Sequence, residues 1–193
     1  MALVNKIIPF SCIDGPGNRT SIFFQGCNFK CSYCHNPETI NKCISCGKCV
    51  AVCPVNALEI KDKKVIWDDK KCVSCDACIR EGKHLSSPKT KDYSVDELFK
   101  EIKKVSPFIE GITVSGGEST LNADFLTELF RKVKNELGLT CFVDTNGSVD
   151  LTEYKEFVNL TDKFMIDVKS MDEKEHIKVT GLNNDIVIKN LKY

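Results

Sequence analysis

The sequence predicts an α/β fold built on a parallel sheet, with a small cysteine-rich unit looped out of its N-terminal part. Three observations carry this. From about Lys89 onward, apolar strands alternate with amphipathic helical stretches, the pattern of βα units. Four strands each deliver unusual residues at their C-terminal ends, where parallel sheets place ligands. Of 12 cysteines, all but Cys12 and Cys141 lie between Cys27 and Cys78.

The elements follow in order. Ser21 to Gln25 reads as a strand running straight into Cys27. Ser94-Val-Asp-Glu97 is a capping box, and Val95, Leu98, Phe99 and Ile102 then recur at helical spacing. Gly111 to Val114 is a short strand ending in Ser115-Gly-Gly-Glu118. Asn122 can cap a helix with Phe125, Leu126, Leu129, Phe130, Val133 and Leu137 on its apolar face, stopped by Gly138. Thr140 to Val143 is a strand ending in Asp144-Thr-Asn-Gly147, and Thr152 to Leu160 a short helix. Phe164 to Val168 is the fourth strand, ending near Asp167 and Lys169. The tail from Glu173 to Tyr193 reads as mostly helical.

Composition removes several function classes. Lys plus Arg and Asp plus Glu both total 27 in 193 residues, so the net charge is zero. Nothing in that balance favours a nucleic-acid partner, since phosphate binding draws on a basic surplus. No apolar run approaches the ~18 residues of a membrane span. Met1 to Phe10 is broken by Pro9 and soon meets Asp14, too early for a signal-peptide core. The expectation is a cytoplasmic protein without membrane contact. Thiols stay reduced there, and 42% hydrophobic content suffices for a core without covalent staples. Metal is the better use for the cysteines.

The segment between Asn36 and Lys89, taken as residues 37–88, reads as a separate domain inserted into the one formed by 1–36 and 89–193. It repeats internally: Cys43-Ile-Ser-Cys-Gly-Lys-Cys49 is echoed by Cys72-Val-Ser-Cys-Asp-Ala-Cys78. Cys43-x2-Cys46-x2-Cys49-x3-Cys53-Pro54 matches bacterial ferredoxin spacing in every position. Structural zinc is the competing reading, because Cys-x2-Cys pairs also bind zinc. In two-cluster ferredoxins the fourth cysteine of each run serves the other cluster. By that rule Cys53 joins Cys72, Cys75 and Cys78, while Cys43, Cys46 and Cys49 lack a fourth thiolate, because Gly82 stands in its place. The deficient site is expected to be a [3Fe–4S] form, to use water, Glu81 or His84 as its fourth ligand, or to be a damaged cluster site.

Cys27-x3-Cys31-x2-Cys34 differs: three thiolates hold three irons of a cubane and leave one iron open, the usual mark of a ligand-binding metal position. This triplet resembles the signature of the radical S-adenosylmethionine (SAM) superfamily. Together with Asp14-Gly-Pro-Gly17, Arg19, Gly26-Cys27, Tyr33-Cys-His-Asn-Pro37 and Ser115-Gly-Gly-Glu118, it is similar to the glycyl-radical-enzyme activating enzymes, relatives of the pyruvate formate-lyase activase. The insert resembles their two-cluster, YjjW-type branch. The resemblance spans almost the whole chain.

It implies a partial (β/α) barrel of radical SAM type carrying a ferredoxin-like two-cluster α+β insert. Cys27, Cys31 and Cys34 would hold a [4Fe–4S] cluster with SAM on the open iron, the source of a 5′-deoxyadenosyl radical that takes a glycine hydrogen from a partner enzyme. Gly116, Gly117 and Glu118 would meet the SAM amino group. Tyr33 and His35 would lie beside the adenine, and Asp167, Val168 and Lys169 would form the DxK run facing SAM. Asp144, Thr145, the Met165 carbonyl and Asp167 match positions that bind a monovalent cation in relatives. A flavodoxin or ferredoxin-type protein would supply electrons.

Plainer readings stand beside these. A Gly-Gly pair is often a turn, Asp144 and Asn146-Gly147 suit turn chemistry, a strand-end lysine is usually solvated, and His35 can satisfy a backbone carbonyl. Cys141 reads as a packed core residue, Cys12 as a loop thiol, and His84 and His176 as surface residues. Two rival functions remain: an electron-transfer module lacking radical chemistry, and a radical SAM enzyme with another target. The family's barrel has six βα units where four strands are counted here. A C-terminally incomplete barrel is therefore expected, with the fourth strand exposed at an edge, one side of the SAM pocket open to water, poor solubility, and SAM cleavage that is weak or absent.

Overall fold

The computed structural model describes residues 1–81 and 84–193. Gly82, where the fourth thiolate is missing, lies outside the described residues together with Lys83. Six strands form the main sheet in the order β5-β1-β2-β6-β7-β8. These are β1 (Ala2–Ser11), β2 (Arg19–Phe24), β5 (Lys91–Tyr93), β6 (Gly111–Gly116), β7 (Thr140–Thr145) and β8 (Lys163–Ile166). The four expected strands, β2, β6, β7 and β8, pair in parallel and in that order. β8 is an edge strand of this sheet, as expected of the fourth strand.

Two strands were not foreseen. β1 and β5 add an antiparallel margin beside β2, so the sheet is mixed and not purely parallel. β1 alternates poorly because Asn5, Lys6 and Pro9 interrupt it, and two irregularities break its register with β2. β5 has three residues, and only its pairing with Ala2 to Val4 makes it a strand.

Helices α3 (Val95–Val105), α4 (Ala123–Leu137) and α5 (Lys155–Leu160) connect the parallel strands. The Ser94 capping box forms as expected, with Ser94 Oγ accepting from Glu97 N–H at 3.2 Å. Asn122 precedes α4 but makes no side-chain cap; a short 3-10 turn at Ser119–Asn122 leads in, capped by Glu118. The short helix expected over Thr152 to Leu160 divides into a 3-10 turn at Leu151–Glu153 and α5. Leu98, Ile102, Leu126, Leu129, Phe130, Val133 and Phe157 are buried in one core with Ile22, Ile112, Val114, Cys141 and Val143 of the sheet. Arg19 is buried there too: it donates to Thr113 Oγ1, Thr140 Oγ1 and the Ile112 carbonyl at 2.8, 3.0 and 2.7 Å and lies 3.5 Å over the Phe142 ring. Its role is to bind the lower ends of β2, β6 and β7 together.

The tail forms α6 (Glu173–Thr180) and α7 (Asp185–Lys192), separated by Gly181 in a left-handed turn. His176, expected at the surface, is fully buried: its ring meets Phe29 edge-on at a centroid distance of 5.3 Å.

The cysteine-rich segment has its own small sheet, the hairpin of β3 (Leu58–Lys61) and β4 (Lys64–Trp67). Helices α1 (Lys48–Ala51) and α2 (Ala77–Glu81) carry Cys49 and Cys78, which are buried together with Leu58. The repeat extends to the backbone. Ser45 and Gly47 in the first run and Ser74 and Asp76 in the second are left-handed, with φ of 54°, 79°, 53° and 57°. Left-handed residues at matching positions wind both loops the same way ahead of their helices.

Candidate functional site

The C-terminal ends of the four parallel strands converge on the loop that carries the cysteine triplet. Gly117 N–H donates to the Phe24 carbonyl at 2.9 Å, and Glu118 N–H to the Gly26 carbonyl at 2.8 Å. The close approach requires glycines. A Cβ on Gly117 would stand 2.2 Å from the Gly26 carbonyl oxygen, and one on Gly116, whose φ is 112°, 2.3 Å from Phe24 N. Here the Gly-Gly pair is a contact between two loops, and more than a turn.

Glu118 was expected to offer its carboxylate to an ammonium group. It is instead 1% exposed, with Oε1 accepting from Thr120 N–H, Thr120 Oγ1 and Thr145 Oγ1 and Oε2 from Asn146 N–H. Burial pushes its pKa up, opposed by these donors. The side chain fastens the end of β6 to the end of β7, and the run's backbone faces the cysteine loop.

That loop is held from two further sides. Asn146 Nδ2 donates to Cys27 Sγ at 3.7 Å and to Asn28 Oδ1 at 3.3 Å, while Asn28 bonds Ser148 Oγ at 2.7 Å. From the other side, Lys30 and Ser32 N–H donate to the Thr180 and Val179 carbonyls at 2.9 and 3.0 Å, docking the loop on the end of α6. Sequence reasoning missed Asn28, Asn146, His176 and Thr180, because their roles arise from partners far along the chain.

The charges of Cys31 and Cys34 add to the cost of ionising Cys27, and that of Cys34 to the cost of ionising Cys31. Burial, reinforced by Glu118, Cys31 and Cys34, pushes the Cys27 thiol up to about 11. Burial also raises Cys31, and Lys169 opposes it. Such crowding of soft donors fits a cationic iron–sulfur group, whose binding displaces the thiol protons.

Lys169 closes this side. It pairs with Asp167, and its ammonium lies 5.6 Å from the Tyr33 ring centroid. Burial works against its charge, but the Asp167 carboxylate outweighs it and raises the pKa. Tyr33 is 54% exposed and His35 is exposed beside Cys34, so both are open to a ligand. Val168 is half-buried between Asp167 and Lys169. Asp144 pairs in register with Met165, and the Thr145 carbonyl accepts from Asp167 N–H at 2.8 Å. Burial raises the Asp144 pKa, Ser115 Oγ donates to its carboxylate at 2.8 Å, and Asp167 and Asp14 add repulsion. The Thr145 hydroxyl is already engaged by Glu118 and by Gly147 N–H.

The seven cysteines of residues 37–88 line two cavities, with Cys78 at the wall of both. Cys53, Cys72, Cys75 and Cys78 line one, together with Lys89 and Trp67. The buried Trp67 Nε1–H has no acceptor among the described residues, which suits a group rich in acceptor sulfur. Cys43, Cys46 and Cys49 line the other, with Cys78, Glu81 and His84 at its wall. Gln25, two residues before Cys27, donates to the Asn41 carbonyl at 2.6 Å, and Gln25 and Cys43 share a cleft. The Cys43 loop therefore lies against the end of β2. Among the described residues no three His, Cys, Asp or Glu side chains are grouped tightly enough for a single metal ion; a multi-iron cluster keeps its thiolates farther apart than one ion does. Among them, too, no helix is long and apolar enough to cross a membrane.

The chain is similar to known proteins over most of its length. Residues 21–193 match the radical SAM superfamily. The chain is 34% identical to the trans-4-hydroxy-L-proline dehydratase activating enzyme of Clostridioides difficile, over 98% of this chain and 68% of that protein. It is 32% identical to the indoleacetate decarboxylase activating enzyme of Tractidigestivibacter scatoligenes, over 99% and 68%. A glycyl-radical enzyme activating enzyme from Haemophilus influenzae is 32% identical, with 86% of this chain matching 47% of that one. The chain thus spans about half to two thirds of the length of these relatives. Among solved structures, QueE from Escherichia coli shares the fold at a TM-score of 0.50 and 17% identity, over 77% of this chain and 54% of that one. The family implies a [4Fe–4S] cluster that binds SAM. The chain belongs to the radical SAM superfamily, among its glycyl-radical-enzyme activating enzymes.

Proposed function

We propose that this protein installs a glycyl radical on a separate enzyme. When bound, the cluster and SAM together supply a 5′-deoxyadenosyl radical able to take the α-hydrogen of a glycine in that partner. The observation that carries the reading is the meeting of Cys27, Cys31 and Cys34 with Gly116, Gly117, Asp144 and Lys169 at the ends of four adjacent parallel strands.

The residues divide the work. Cys27, Cys31 and Cys34 hold three irons and leave the fourth to SAM. Gly116 and Gly117 bring backbone close to that ligand, while Glu118 keeps the backbone in place. Tyr33 and His35 face the adenine, and Asp167, Val168 and Lys169 face the rest of the nucleoside. Asp144 and Asp167, with the Thr145 and Met165 oxygens, take a monovalent cation; burial raises Asp144 and the nearby Asp167 and Asp14 carboxylates add repulsion, which a cation would relieve.

Residues 37–88 act as an inserted two-cluster relay between a flavodoxin- or ferredoxin-type reductant and the Cys27 loop. The four-cysteine cavity, its unpartnered Trp67 N–H and the link from Gln25 to Asn41 support this. The test is anaerobic reconstitution with iron and sulfide, then dithionite and SAM, with mass spectrometry for 5′-deoxyadenosine. A glycyl doublet in the EPR spectrum of an added glycyl-radical enzyme is the expected second result. 5′-Deoxyadenosine without a doublet on any such partner would point to another target, and no cleavage at full iron content would defeat the proposal.

A further inference from the structure

We propose that His84 is the fourth ligand of the iron–sulfur cluster held by Cys43, Cys46 and Cys49. This rests on reading the insert as a two-cluster module and goes beyond it by naming the ligand. One cavity is lined by Cys53, Cys72, Cys75 and Cys78, the other by Cys43, Cys46 and Cys49 with Cys78 reaching its wall as well. Cys78 completes the first set, so His84 and Glu81 are the imidazole and carboxylate at the second wall that could stand in for the missing thiolate.

Backbone placement favours His84. Its carbonyl accepts from Asn41 Nδ2 at 2.8 Å, and the Leu85 carbonyl accepts from Asn41 N–H at 2.9 Å. Asn41 also bridges Ser86, two residues before Cys43 on its own side. The chain that carries the imidazole is thereby tied to the chain that carries the first thiolate. Glu81 is instead the last residue of α2. Donor chemistry points the same way. Imidazole replaces thiolate on iron in Rieske centres, whereas carboxylates suit harder ions.

A neutral imidazole in place of a thiolate removes one negative charge, so this cluster has a more positive potential than its sister. The Cys43 loop lies against the end of β2, so the histidine tunes the cluster that faces the Cys27 site.

The test uses the anaerobically reconstituted full chain, with His84→Ala, His84→Cys and Glu81→Gln. Wild type is expected to show imidazole nitrogen coupling in pulsed EPR of the reduced insert clusters. His84→Ala should lose that coupling and one iron per chain, gaining a three-iron signal on oxidation. His84→Cys should regain the iron with a lower potential, and Glu81→Gln should match wild type. A three-iron signal already in wild type, nitrogen coupling that survives His84→Ala, or iron loss in Glu81→Gln instead would overturn the assignment. Unchanged iron content after Cys43→Ser and Cys72→Ser would sink the two-cluster reading itself, and the ligand with it.

Discussion

The main sheet and the cysteine-rich segment are held together by different means. The sheet buries a continuous set of aliphatic and aromatic side chains between its strands and α3, α4 and α5. Among the described residues, the segment's own hydrophobic cluster centres on Cys49, Leu58 and Cys78, with Val50, Cys53, Val65, Trp67 and Ile79 only partly buried around it, and two of the three central residues are proposed metal ligands. Hydrophobic burial at roughly 25 cal/mol per Å² can hold the first without help, while so small a core is usually completed by a metal or disulfides. The Cys49 thiol in the segment also resists ionising: burial pushes it up to about 11, with Cys43, Cys78 and Cys46 adding repulsion. The contrast is one of means: the sheet has a core of its own, and the segment, on the reading proposed above, folds on its clusters.

The largest test of that contrast is a pair of core truncations. Phe130 stacks on Phe157 at 5.6 Å and is fully buried, so Phe130→Ala should cost about 3–5 kcal/mol in denaturant unfolding of the sheet. Leu58→Ala should leave that transition unmoved and loosen only the segment. Equal shifts from the two would show a single cooperative unit and break the comparison.

Iron removal sharpens it next. After chelation, amide hydrogen exchange should become fast in β3, β4, α1 and α2, while β2, β6 and β7 keep their protection. Protection retained throughout would mean that the segment does not depend on metal.

The smallest expected effect lies within the sheet. Burial opposes ionisation of Asp162, but the Lys134 ammonium at 2.5 Å and the Cys141 N–H at 2.7 Å prevail and lower its pKa. A carboxylate held below its unfolded value stabilises the fold above that value, and the contribution is lost as pH falls through the folded one. Asp162→Asn should therefore cost about 0.5–1 kcal/mol at neutral pH, and nothing once the pH is well below the carboxylate's folded pKa. A difference that persisted in acid would assign the cost to lost hydrogen-bond geometry and not to charge.

Much of the site was legible because its signals are local. Cysteine spacing, the Gly-Gly pair and the residues closing each strand are set by neighbours a few positions apart. The capping box at Ser94 is legible for the same reason. His176 was misread because the stretch from Glu173 to Thr180 is polar by sequence; its burial comes from Phe29, far away along the chain. Glu118 was placed facing a ligand because a carboxylate beside two glycines suits an ammonium, yet Thr145 and Asn146, on another strand, claim it.

By itself, the sequence determined the family, through the resemblance its motifs carry, and the four parallel strands and the internal cysteine repeat. The strands and the repeat depend on periodicity and spacing, which short-range geometry enforces. Only the tertiary structure decided the antiparallel margin of β1 and β5, the inward turn of Glu118, and the clasp of Asn146 and Thr180 on the cysteine loop. It also set His84 at the wall of the three-cysteine cavity. Each of these depends on groups brought together across long loops, where hydrogen-bond satisfaction and burial choose the partner and no local pattern records the choice.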